Sequence, residues 1–172
     1  MIRFLTVVIL SLAVLQAKAQ KKISGGLGRF TAAVYRNDEY KAHRYNKILV
    51  FSGTLDPAGD KRIIEHFRSA GLNVISSLEL LPPSKDLSES QQQQIIETNG
   101  VDGIIRITET NIHTWGSNRS RRSDIKITFY DQVGRINALT IAGHETAGGR
   151  DYRNILVFVK KAMPEIQSAV RN

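Results

Sequence analysis

Ile48-Leu49-Val50-Phe51 is apolar at every position and is closed by Ser52-Gly53. A strand with one wet face alternates apolar and polar residues. Four apolar residues in a row predict a strand buried on both faces, as at the centre of a parallel sheet. Such a strand needs a layer on each side, and the following residues supply helices. Asp56-Pro57 opens the first, with Asp as N-cap and Pro in the first turn. Ile63, Ile64, Phe67 and Ala70 share one face of it, and Gly71 ends it. Leu72–Ile75 reads as a second short strand, with Leu81-Pro82-Pro83 closing its connection. Ser88 with Gln91 forms a capping-box pattern before a helix over Glu89–Thr98, which Asn99-Gly100 stops. Val101–Thr110 is the third strand, centred on Ile104, Ile105 and Ile107.

The pattern then changes. Ile125, Ile127 and Phe129 alternate with Lys126, Thr128 and Tyr130, which predicts a strand with one solvated face. Asp131–Gly134 turns it into Ile136–Glu145, completing an antiparallel hairpin. Gly148-Gly149 and Asp151 precede a long helix with Ile155, Leu156, Val159, Ala162, Met163, Ile166 and Val170 on one stripe. Pro164 is expected to kink or divide it. The order β-α-β-α-β-β-β-α predicts an α/β (α+β) fold. Its sheet is expected to be mixed and five-stranded, in order 2-1-3-4-5, with the helices packed on it.

Ahead of this body, Arg3, the apolar run Phe4–Leu15 and Ala17-Lys18-Ala19 have the layout of a secretory signal peptide. The expected organisation is residues 1–19 as signal peptide, 20–45 as a polar lead-in, and 46–172 as a single α/β domain. Gly25, Gly26 and Gly28 loosen the lead-in. A short strand or helix is possible near Phe30–Tyr35, and Tyr35, Tyr40 and Tyr45 suggest that the segment lies back against the body. The apolar run is short of the roughly 20 residues of a membrane span, so no transmembrane segment is expected. The chain has no cysteine. That excludes thiol chemistry and the cysteine-borne lipid of a bacterial lipoprotein, so no lipid anchor is expected. The protein should be periplasmic or secreted. The net charge of +8 falls to +6 when Arg3 and Lys18 leave with the leader, which favours anionic surroundings.

Three stretches carry a resemblance: Tyr45–Phe51 before Asp56, Gly71–Ser77 before Leu81-Pro82, and Asn99–Ile105. Together with the Phe129–Arg135 hairpin and the long last helix, they resemble a class of exported bacterial envelope proteins of undetermined function. These are related to the amino-terminal domain of the translocation protein TolB and to the curli-secretion and penicillin-binding-protein-activator lipoproteins. The resemblance implies a non-enzymatic accessory role in the envelope, and it carries over no catalytic residue.

Chemistry-bearing patterns are sparse. Gly53–Lys61 sits where a phosphate loop would, but five residues separate its glycines and Asp60 precedes Lys61, so it reads as a capped turn. Asp56, Asp60 and Glu65 read as a helix start and its exposed face. Ser76 and Ser77 lack a nucleophile elbow. His113, His144, Glu145 and Asp124 are expected at one edge of the sheet, where they could form a His-His-carboxylate metal site. Ser117–Arg122 is the densest basic cluster, read as the loop joining strands three and four beside Trp115. The leading expectation is a soluble envelope accessory protein with no catalysis and no cofactor, binding another envelope protein through Trp115, Arg119, Arg121 and Arg122. The alternative is an anionic ligand on that loop, such as lipopolysaccharide, wall polymer or nucleic acid. A small metal-dependent hydrolase built on His113, His144 and Glu145 is the third.

Overall fold

The structure is a computed structural model and describes residues 19–25, 30–82, 86–116, 120–148 and 152–170. The expected leader lies outside them up to residue 18, as do Gly26, Gly28, Pro83, Ser117–Arg119, Gly149 and Asp151. One mixed sheet organises the rest. Its strands are β1 (Ala19–Gly25), β2 (Phe30–Arg36), β3 (Ile48–Phe51), β4 (Val74–Ser76), β5 (Gly103–Trp115), β6 (Ser120–Asp131) and β7 (Ile136–Ala147). The helices are α1 (Pro57–Ser69), α2 (Ser77–Leu80), α3 (Glu89–Thr98) and α4 (Arg153–Val170).

The sheet runs β2-β7-β6-β5-β3-β4, with β1 added on the outer side of β2. The five expected strands are neighbours within it, β3 parallel to both β4 and β5, and β6 antiparallel to both β5 and β7. The five-stranded expectation is corrected, because the lead-in supplies two more strands. β2 pairs antiparallel to β7 through Ala32↔Gly143 to Arg36↔Leu139. Its apolar Ala32 and Val34 drop into the core. A free β7 edge would leave a row of unpaired backbone groups, and β2 covers it.

The strand faces sort the molecule into layers. Ile48 and Val50 of β3 join Ile105, Ile107, Ile125, Ile127, Phe129, Leu139 and Ile141 on an inner face. There they meet Ile63, Ile64 and Phe67 of α1 and Ile155, Phe158, Val159, Ala162 and Ile166 of α4. Leu49 points the other way, into a smaller cluster with Ile96 of α3, Val101, Phe51 and Leu80. The unbroken apolar run is thus buried on both sides, as its composition requires. The outer face of β5–β6–β7 beyond Ile104 carries no helix among the described residues, and Arg106, Thr108, Thr110 and Lys126 are exposed there.

Several local expectations hold. Asp56 caps α1 by accepting from the Ala58 amide at 3.1 Å, and Ser88 and Gln91 close a capping box on α3. Gly71 takes the left-handed φ of 81° that ends α1. Others need correction. The second strand is Val74–Ser76, shifted from Leu72–Ile75, and it runs directly into the one-turn helix α2, capped by Ser76. α4 runs undivided through Pro164. Its sheet-facing stripe continues on both sides of the proline, with Ala162, Met163 and Ile166 all buried. Packing outweighs the missing hydrogen bond.

Residues 37–47 cross the end of the sheet. The Tyr45 ring meets Phe129 edge-on at 4.9 Å, and Tyr40 does so at 6.4 Å. The Tyr40 hydroxyl donates to the Ala169 carbonyl of α4 at 2.5 Å. Tyr40 and Tyr45 therefore lie against the body as expected.

His66, near the end of α1, lends itself to a pH test. Burial lowers its pKa below the ordinary histidine value, and the Lys160 charge adds to this. Its Nε2 has no hydrogen-bond partner among the described residues. The folded state therefore takes up this proton less readily than the unfolded chain. Stability is full above the ordinary pKa of about 6.5 and declines as pH falls below it. Denaturant unfolding should show a lower midpoint at mildly acidic pH than at neutral pH, and His66→Gln should reduce that difference.

Candidate functional site

The far ends of β5 and β6 hold the residues singled out by sequence. β5 continues to Trp115 and β6 begins at Ser120, directly paired with it. Arg121 and Arg122 are therefore strand residues, a correction to their expected place on a connecting loop. Arg119 lies outside the described residues.

Alternation in β6 sends the two arginines to opposite faces. Arg121 turns inward and pairs with Glu109 at 2.6 Å, where both side chains are largely buried. Its carbonyl accepts from the Asn154 amide at 2.9 Å, which ties the strand to the start of α4. This arginine is a structural brace, separated from the expected binding surface. Arg122 turns outward and is exposed.

A β-bulge decides what stands beside it. Thr110 pairs with Asp124 and His113 pairs with Arg122, so Asn111 and Ile112 together oppose the single residue Ser123. Asn111 adopts a φ of 49°, a left-handed conformation that Asn tolerates better than most residues. Its side chain donates to Asp124 at 2.7 Å. The extra residue reverses the strand's phase. Before the bulge the even positions Arg106, Thr108 and Thr110 face outward, and after it His113 and Trp115 do. Trp115 is brought to the same face as Arg122 and left 50 % exposed, while Ile112 at the bulge is 48 % exposed. Trp115 and Arg122 stand out in the sequence by residue type, whereas Ile112 does not. The signal was present as Asn111, where the alternation of β5 changes parity.

The residues of the alternative metal site do not come together. His144 faces Asp124 across β6–β7, and His113 faces Arg122. Glu145 follows His144 directly and so points to the other side of the sheet. It is buried there, receives Lys161 Nζ at 2.7 Å, and accepts from the Thr146 amide. Among the described residues no group of three or more His, Asp or Glu could hold a metal ion.

Asp60 also departs from expectation. Rather than lying on an exposed helix face, it is 5 % exposed and accepts hydrogen bonds from Ser52 and Ser76, each at 2.6 Å. The first turn of α1 is thereby fastened to the ends of β3 and β4.

No family model matches the chain, and no curated protein matches it. Solved structures do. A PelC dodecamer from Paraburkholderia phytofirmans aligns over 81 % of this chain and 98 % of its own, at 13 % identity and a TM-score of 0.50. The lipoprotein GNA1162 from Neisseria meningitidis aligns over 71 % and 97 %, at 14 % identity and a TM-score of 0.43. The hypothetical protein CT253 from Chlamydia trachomatis aligns over 73 % and 97 %, at 10 % identity and a TM-score of 0.43. The likeness to PelC is one of fold. No helix of the described residues is long and apolar enough to cross a membrane.

Proposed function

We propose that this chain is an exported accessory protein of a cell envelope, without catalysis or a cofactor, that works by binding another protein. The contact surface is the far end of the outer sheet face, centred on Trp115 and Arg122, with the exposed Ile112 at the bulge beside it. The observation that carries this reading is the bulge at Asn111–Ile112. It brings a half-exposed tryptophan and an arginine to one face. Trp and Arg are the residue types that dominate binding energy at protein interfaces. The PelC neighbour is a dodecamer, so a protein of similar fold associates with copies of itself.

A second reading has its own observation. The outer face presents Arg106, Lys126 and Arg122, against Asp124, whose carboxylate is held by Asn111. An anionic polymer, lipid headgroup or other polyanion would fit that balance. Salt separates the two readings. Protein capture through a packed Trp115 contact should persist at about 0.5 M salt, where exposed charges are screened within a few ångströms, whereas polyanion binding should collapse. With the protein partner, the pair Trp115→Ala and Arg122→Ala should weaken capture at least about tenfold, the loss of a single strong contact, and leave the unfolding midpoint in place. Unchanged capture by the pair would overturn the leading reading.

A further inference from the structure

We propose a second site, independent of the first, that takes a carboxylate carried on an apolar stem. It lies where β3 and β5 part company. From β3 the chain crosses to β4 on one side, and from β4 it crosses back to β5 on the other. This is a topological switch point. In open α/β sheets the connections there leave a crevice outside the carboxyl ends of the strands. In this protein it is a groove of about 360 Å³ bordered by Phe51, Thr54, Leu55, Leu78, Arg106 and Thr108. The volume suits a small ligand.

Arg106 sets the ligand's charge. Its guanidinium carbon lies over the Phe51 ring, 4.9 Å from the centroid, which holds the head group at the groove's edge. Arg36, Arg68 and Arg121 each pair with a carboxylate. Arg106 has no such partner among the described residues, so its planar fork is open to a ligand. A carboxylate matches that fork in two parallel hydrogen bonds.

Asp56 and Asp60 set the valence. Both lie at the start of α1, where the helix dipole would otherwise favour a phosphate. Their charges already occupy that positive end, so a single negative charge is favoured over a dianion. Leu55, 80 % exposed, and Leu78 also border the adjoining concavity between α1 and α2. They give the stem an apolar seat, and Thr54 and Thr108 offer hydroxyls beside it. Trp115 lies nine residues further along β5, about 30 Å away at strand rise, so a ligand here leaves the protein contact untouched.

The test uses hexanoate and its neutral isostere hexanamide, followed by backbone amide NMR on the intact protein. Hexanoate should move the amides of residues 51–55, 78 and 106–108, and hexanamide should bind at least tenfold more weakly. Arg106→Gln should lose at least tenfold in affinity, and Arg106→Lys should not restore it, because an ammonium lacks the fork. Both changes are at an exposed position, and the unchanged remainder of the spectrum reports that the fold is intact. Leu78→Ser should weaken hexanoate with Arg106 in place. A short peptide ending in leucine, with a free or an amidated terminus, distinguishes the two sources of such a group. Tighter binding of the free peptide than of hexanoate assigns the site to a protein C-terminus, and weaker binding assigns it to a small acid. The proposal is overturned if hexanoate at roughly 10 mM, ten times a 1 mM dissociation constant, moves none of these amides. Binding by Arg106→Gln equal to that of the natural chain, or tighter binding of inorganic phosphate, would overturn it as well.

Discussion

Phe129→Ala is expected to destabilise the protein by about 3–5 kcal/mol, the range for removing a large aromatic side chain from a packed interior. Phe129 is fully buried near the end of β6. It receives the Tyr45 and Tyr40 rings on its edges, and a Cβ added at Gly103 would come within 2.9 Å of it. Little around it can collapse. β6 is hydrogen-bonded to β5 on one side and β7 on the other, and the crossing segment is held to α4 by Tyr40. In a domain of this size the loss lowers the melting temperature by roughly 10 °C. Val133→Ala is the matched control. Val133 is 73 % exposed in the β6–β7 turn, and its truncation should cost less than about 0.5 kcal/mol. Equal effects from the two substitutions would mean that the ring is not at the centre of the core.

The second large effect is expected at Asp60. Asp60→Ala removes the acceptor of two buried hydroxyls and should cost about 2–4 kcal/mol. Each charge-assisted bond contributes about 1.5–3 kcal/mol, part of which is offset because a carboxylate no longer has to be buried. Asp60→Asn keeps the shape and one acceptor oxygen, so it should cost less than the alanine. The loss should also be local. Amide exchange should quicken at the ends of β3 and β4, since Ser52 and Ser76 lie at those ends and α1 reaches them through Asp60. A protein with Ala at this position as stable as the natural one would show that the cluster adds nothing to the fold.

Asp60 also illustrates what the amino-acid sequence could and could not convey. Its place in the first turn of α1 was legible, because Asp56-Pro57 marks the helix start unambiguously. Its burial was not, since that depends on where Ser52 and Ser76 arrive from two separate strands. The central β3 was legible from four consecutive apolar residues, and the β6–β7 hairpin from the alternation of Ile125, Ile127 and Phe129 with polar neighbours. β1 and β2 were harder. Residues 19–25 and 30–36 mix lysine and arginine with small apolar residues, and their pairing reflects the need to cover β7 rather than a strong pattern of their own. The one-turn α2 is too short to leave a periodicity.

The candidate site divides in the same way. Trp115 and Arg122 stood out by residue type. Whether two neighbouring residues share a face depends on strand parity, and the loop expected at 117–122 concealed it. Strand structure from Ser120 onward sends Arg121 inward to Glu109 and Arg122 outward. The same parity separates His144 from Glu145, two residues of the alternative metal site. The bulge acts in the opposite sense, bringing Trp115 to the side of Arg122.

The central claim is that the far end of the outer sheet face is the surface that meets a protein partner. Its most direct test is a photoreactive side chain introduced at position 115, and separately at 133, with the protein produced in its native envelope and irradiated there. The account predicts a discrete protein adduct from position 115, none from the more exposed position 133, and loss of the adduct when Arg122→Ala is added. Adducts of equal yield from both positions, or none from 115 while the protein is folded and abundant, would contradict it.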